Sequence, residues 1–209
     1  SPSHTFTAGV YTVSLIAISG VCVDTIIMTD LIEVGGSLIP DFITNTNSGC
    51  ENLSVDFSDI TLRDPDTWMW DFGDGNISNI QNPSHTFLNP GIYDITLTTS
   101  ISGECSNSIV FPASVEVFPR PNIDFRADTT YSCEVPFLVQ FSDNTFDATN
   151  WHWDFGNGTT SNIINPTVSF TNYGSFDVKL RVTNSFGCIK SKTINNMIQF
   201  HFSNYYKNT

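Results

Sequence analysis

The sequence predicts an all-β chain of tandem antiparallel sandwiches, and three observations carry that expectation. The chain repeats itself: Trp68-Met69-Trp70-Asp71-Phe72-Gly73-Asp74-Gly75 returns 83 residues later as Trp151-His152-Trp153-Asp154-Phe155-Gly156-Asn157-Gly158. Self-similarity at a fixed step marks an array of equivalent structural units. Apolar residues alternate with polar ones, as in Leu53, Val55 and Phe57, which is the period of a strand with one buried face. Gly, Pro, Asn and Asp break the chain about every eight to twelve residues and no window carries a helical period, which points to about seven short strands per unit.

The repeat sets the organisation. Cys22, Cys105 and Cys188 stand at intervals of 83 residues, as do Cys50 and Cys133. Asn82-Pro83 recurs as Asn165-Pro166, Phe57-Ser58-Asp59 as Phe141-Ser142-Asp143, and Gly91-Ile92-Tyr93 as Gly174-Ser175-Phe176. The opening Pro2-Ser3-His4-Thr5-Phe6 copies Pro83-Ser84-His85-Thr86-Phe87. Residues 1–36 therefore read as the C-terminal half of a truncated repeat, 37–118 and 119–202 as complete repeats, and 203–209 as a tail or linker.

Taken in order, the truncated half offers a strand through Tyr11, Val13 and Leu15, with Phe6 before it. Lacking a Trp-bearing partner half, it is expected to present an open apolar face. Further chain upstream or a strand donated by another molecule would cover that face. In the complete repeats Trp70 and Phe72 alternate, so both can enter the inter-sheet core, as can Trp153 and Phe155; Trp68 and Trp151 open the same segments. Gly73-Asp74-Gly75 supplies a tight hairpin, because glycine accepts positive φ and Asp bonds local backbone. Tyr93 follows a Pro-Gly turn, where a tyrosine corner would bond back to the preceding loop; Phe176 takes that place in the last repeat and cannot.

Composition narrows the function classes. The 209 residues carry 8 Lys plus Arg against 21 Asp plus Glu, a net charge of −13, so no basic face is available for phosphates or an anionic membrane. No apolar run approaches the ~20 residues that cross a bilayer. Apolar residues make up 40% of the chain and include 17 Phe, enough for packed cores.

The run Trp70-Asp71-Phe72-Gly73-Asp74-Gly75, then Asn82-Pro83-Ser84-His85-Thr86-Phe87, then Gly91-Ile92-Tyr93-Asp94-Ile95-Thr96-Leu97 resembles the polycystic kidney disease (PKD) domain. The second complete repeat resembles it with departures at Asn157 and Val168. The resemblance implies immunoglobulin-like sandwiches in an extracellular or cell-surface protein. With Gly103-Glu104-Cys105 and Gly187-Cys188 closing the Tyr strand's turn, the array is also similar to large surface adhesins of gliding bacteria.

Catalytic readings find little support. Asp71-Phe72-Gly73 lacks the nucleotide loop and lysine of a kinase, and the ~40-residue step of a propeller blade is absent. His4 and His85 share a repeat position that Val168 fills in the third copy, so they read as strand residues; His152, between two tryptophans, should point outward. Calcium is the one metal with candidate ligands, Asp64, Asp66, Asp71 and Asp74. Asp64 and Asp66 have no acidic counterparts at Ala148 and Asn150, however, and a solvated acidic surface explains them without a metal. No cofactor is expected.

The cysteines admit two schemes. Pairing within repeats would join Cys50 to Cys105 and Cys133 to Cys188. In the sandwich that the resemblance implies, the loop after the first strand and the loop before the last lie at opposite poles, about 20 Å apart for a seven-residue strand, whereas bridged Cα atoms lie within ~7 Å. Successive repeats abut at unlike poles, which favours Cys50 with Cys188 and leaves Cys22, Cys105 and Cys133 to partners outside this stretch. The function expected is a non-enzymatic spacer and display segment of a long surface adhesin, stalk or filament. Its partners would be neighbouring repeats, other copies in a filament, and surface glycans or proteins. The alternative is an accessory glycan- or protein-binding module of a secreted hydrolase, with Tyr205 and Tyr206 as its aromatic platform.

Overall fold

The structure is a computed structural model that describes residues 2–36, 38–102 and 105–200. Residues 203–209, with Tyr205 and Tyr206, lie outside the described residues, as do Gly103 and Glu104. Every regular element described is a strand.

The chain opens with an antiparallel hairpin of β1 (Gly9–Ser19) and β2 (Cys22–Val34), which forms a two-stranded sheet of its own. The next repeat contributes β3 (Phe42–Thr44), β4 (Ser48–Cys50), β5 (Leu53–Asp59), β6 (Thr67–Asp71), β7 (Ile77–Ser78), β8 (Ser84–Phe87), β9 (Gly91–Ser100) and β10 (Ser106–Phe118). The last contributes β11 (Phe125–Ala127), β12 (Tyr131–Ser132), β13 (Phe137–Asp143), β14 (Ala148–Asp154), β15 (Thr160–Ser161), β16 (Thr167–Phe170), β17 (Gly174–Asn184) and β18 (Ile189–Phe200). Each complete repeat builds a three-stranded sheet, β3-β5-β8 or β11-β13-β16, and a five-stranded one, β4-β10-β9-β6-β7 or β12-β18-β17-β14-β15. The two repeats thus share one immunoglobulin-like strand order.

The contacts divide the described residues into two compact units. One takes in Ser54–Thr86, Ile92–Val115 and the described part of Ser1–Asn47. The other takes in Ser48–Leu53, Phe87–Gly91 and the described part of Glu116–Thr209.

Alternation along the strands fills the cores. Val55, Phe57, Trp70, Phe72, Ile95 and Leu97 are buried in the first unit, and Val139, Phe141, Trp153, Phe155, Val178 and Leu180 in the second. Trp68 and Tyr93 are half-buried, while Trp151 and Phe176 are half-buried against the second core. A fully buried aromatic or aliphatic side chain contributes about 1.5–3 kcal/mol by leaving water, so these positions carry most of the fold's stability.

Two features shape the ends of the sandwiches. The first strand changes sheets: β3 pairs antiparallel with β5, and β4 then pairs parallel with the end of β10, setting Cys50 opposite Phe118. In the last strand of each copy, Asp30, Ala113 and Asn196 have φ of 52°, 49° and 52°, again at 83-residue intervals. The N–H groups of Ala113 and Asn196 donate to the Asp94 and Asp177 carboxylates, each at 2.7 Å. Those bonds hold an extra residue out of the ladder as a bulge, where the register shifts between Phe176 and Val178.

Candidate functional site

The Asp-Phe-Gly-Asp/Asn-Gly segment is a self-bonded turn. Asp71 Oδ1 accepts the Gly73 N–H at 2.9 Å and Asp74 Oδ1 accepts that of Asn76 at 3.0 Å. Asp154 and Asn157 do the same for Gly156 and Thr159, each at 3.0 Å. Gly73 has φ of 74°, and a Cβ there would lie 2.5 Å from the Asp94 carbonyl oxygen, so only glycine fits.

The four acidic candidates do not converge. Asp66 Oδ2 accepts the Ser102 N–H at 2.9 Å, and that bond holds its carboxyl below the usual range. Asp64 is exposed. Asp71 and Asp74 cap the turn just described. Among the described residues no group of three or more His, Cys, Asp or Glu side chains is gathered to hold a metal.

His85 Nε2 lies 2.8 Å from Asp74 Oδ2, and its ring stacks on Phe72 at 4.1 Å. Burial pushes the Asp74 carboxyl up, but the bonds from His85 and Asn76 outweigh it and hold the group below its ordinary 3.8. Asn157 and Val168 fill these two positions in the last repeat. The Asp–His pair is therefore replaced as a unit in the last repeat, which suits a structural role. His152 is exposed and bonds Asn162 at 2.9 Å, and His4 meets Phe6 edge-on at 4.6 Å. In the truncated repeat Tyr11, the equivalent of Tyr93, donates its hydroxyl to the Thr7 carbonyl at 2.8 Å, the tyrosine-corner bond.

The densest constellation surrounds Cys50 and Cys188, both within the second unit. They are disulfide-bonded, with Cα atoms 5.7 Å apart and a sequence separation of 138. Cys50 reaches this place because β4 runs beside the end of β10, and Glu51 N–H donates to the Phe118 carbonyl at 2.9 Å. Cys188 follows a turn at Gly187, φ 79°, and its N–H donates to Asn184 Oδ1 at 2.9 Å. Asn184 Nδ2 in turn donates to the Pro119 carbonyl at 2.9 Å. Arg120 straddles the site: its N–H donates to Glu51 Oε1 and its guanidinium to the Ile189 carbonyl, each at 3.0 Å. Phe118 stacks on Phe186 at 4.7 Å. Cys22, Cys105 and Cys133 are free thiols, the first exposed and the others half-buried.

Sequence reasoning passed over Arg120 and Asn184, which occur once each and carry no repeat signal. It also assigned no role to Asp143, Asn82 and Asn165, although all three recur in the repeat. Asp59 and Asp143 accept the indole N–H groups of Trp68 and Trp151 at 2.8 and 2.6 Å, and Asn82 and Asn165 accept the backbone N–H groups of Asp59 and Asp143 at 2.9 Å.

Strand order, the Trp-Asp-Phe-Gly turn and the repeat define a class, tandem immunoglobulin-like modules. The sequence profile of the PKD domain matches residues 39–117 and again 116–199, and the chain belongs to the PKD domain family. It is 28% identical over 151 residues to Pre-pro-metalloprotease PrtV of Vibrio cholerae serotype O1, which covers 69% of this chain and 16% of that protein. The chain thus spans about a sixth of the curated relatives it matches. Among solved structures, it is similar to the PKD1 domain of Vibrio anguillarum Epp, at 26% identity and TM-score 0.33, over 39% of this chain and 96% of that one. It is also similar to the fibronectin(III)-like modules of Clostridium thermocellum CbhA, at 9% identity and TM-score 0.34, over 81% and 98% of the two chains.

Proposed function

We propose that this chain is a non-catalytic, extracellular segment of a longer repeat protein, whose PKD modules act as stiff spacers and present surface loops. The observation that carries this reading is the bond between Cys50 and Cys188, which ties one sequence repeat to the next in addition to the linker between them. A second covalent tie restricts bending in a way that a single short linker cannot. The neighbours in such an array are further repeats of the same kind, and in a filament other copies of the chain. A screen of the intact chain against surface and storage polysaccharides tests the reading, with no saturable affinity as the expected result. Saturable binding to one polysaccharide would replace it with the second reading, an accessory module of a secreted hydrolase, which the similarity to PrtV favours.

A further inference from the structure

The net charge of −13 hides a local exception on the outer face of the sheet β12-β18-β17-β14-β15. Trp151 and Trp153 turn inward along β14, as do Val178, Leu180 and Val182 along β17, so the residues between them turn out. His152 stands opposite Arg181 and Asp154 opposite Lys179. All four are exposed, and together they line a recess of about 170 Å³.

The fold makes no use of the two cations. Among the described residues Lys179 and Arg181 have no hydrogen-bond or ion-pair partner. Asp154 is committed to its own turn, where Oδ1 accepts the Gly156 N–H at 3.0 Å, and His152 Nδ1 is held by Asn162 Oδ1 at 2.9 Å. In the preceding repeat Met69, Thr96 and Thr98 take the places of His152, Lys179 and Arg181, so the sandwich itself does not call for charge there. Each copy also carries a surface of the opposite sign. Residues 37–118 hold 11 Asp plus Glu against a single base, Arg63. Asp64 is exposed and has no partner among the described residues, and Asp71 commits only Oδ1 to its turn.

We propose that the recess at Lys179 and Arg181 is a docking site for a second copy of this chain, which presents the acidic surface of its repeat at 37–118. The guanidinium of Arg181 offers a fork for a carboxylate and Lys179 a point charge beside it. Two chains of net charge −13 repel at long range, so local complementarity selects this one orientation. The contact joins unlike surfaces. It leaves one recess and one acidic surface unused at the ends, and therefore propagates from copy to copy. This rests on the reading of the chain as part of a filament of copies, but not on the absence of polysaccharide binding.

The test uses the full chain. Unlabelled and heavy-nitrogen-labelled copies are mixed, treated with a carbodiimide, digested and read by mass spectrometry. Lys179 is expected in mixed-isotope amide crosslinks to carboxylates of residues 37–118. Sedimentation velocity should show association that grows with concentration and weakens about tenfold or more in Lys179→Glu/Arg181→Glu. Lys179→Ala/Arg181→Ala should weaken it in the same direction and guards against misfolding of the first variant. Arg126→Glu/Lys190→Glu makes the same change in net charge at other exposed positions and should associate as the parent does. A monomer at every concentration, equal weakening by the Arg126/Lys190 pair, or Lys179 crosslinks confined to residues 119–200 would overturn the proposal. So would binding of polygalacturonate that needs Lys179 and Arg181 while the chain stays monomeric, which would assign the face to an acidic glycan. Polysaccharide binding that survives the charge reversal, in a chain whose association does not, counts against the spacer reading alone.

Discussion

Asp59 accepts the indole N–H of Trp68 at 2.8 Å, and Asp143 accepts that of Trp151 at 2.6 Å. The other oxygen of Asp59 accepts the Thr61 N–H at 3.0 Å and its hydroxyl at 2.5 Å; Asp143 does the same for Thr145, at 3.1 and 2.5 Å. Each carboxylate therefore pins the start of the tryptophan strand to the end of the strand before it. Asp59→Ala strands a half-buried indole donor and frees the Thr61 turn, a loss of about 2–3 kcal/mol. Asp143→Ala is expected to cost the same in its own repeat, and Asp→Asn about half as much, because one acceptor oxygen remains. Urea unfolding followed at the indoles measures each.

Asp74 and His85 form a replaceable pair, since the last repeat holds Asn157 and Val168 instead. His85→Val alone leaves a largely buried carboxylate without its partner and is expected to cost about 1–2 kcal/mol. Adding Asp74→Asn should return most of that, a coupling that a double-mutant cycle reads directly. The pH dependence follows from the direction of the shift. Asp74 is held below 3.8, so its contribution is fully present above about that pH and is lost as pH falls through the lowered value. Asp74→Asn should lower stability in the neutral range and flatten this part of the acid unfolding profile.

Chelation should leave the fold in place. The carboxylates of Asp66, Asp71 and Asp74 are each engaged by a backbone N–H, and the cores around Trp70 and Trp153 form without an ion. Melting with and without EDTA is expected to agree; a fall of about 10 °C, more than ~1 kcal/mol, would assign structural calcium to the Asp64–Asp74 region.

Much of this architecture is legible in the sequence because the repeat supplies two copies of every signal. Trp70, Phe72, Trp153 and Phe155 occupy the core that alternation assigns them, and Gly73 sits where a side chain cannot. The sheet-switching first strand is not legible: Ser48–Cys50 is three residues long and shows no alternation, and its place is set by pairing with β10 far along the chain. The bulge at Ala113 escapes for a similar reason, since nothing in alanine announces a φ of 49° that Asp94 imposes from the neighbouring strand. Arg120 is a single linker residue whose two partners, Glu51 and Ile189, lie 69 positions away on either side.

The central proposal is that the Cys50–Cys188 bond limits bending between one sequence repeat and the next. Residual dipolar couplings measured for the modules at 38–118 and 119–200, in the oxidised chain and in Cys50→Ser, test it most directly. One alignment tensor should fit both modules in the oxidised chain, and two should be needed in Cys50→Ser or after reduction. Two independent tensors in the oxidised chain, or a single tensor that survives loss of the disulfide, would contradict the claim.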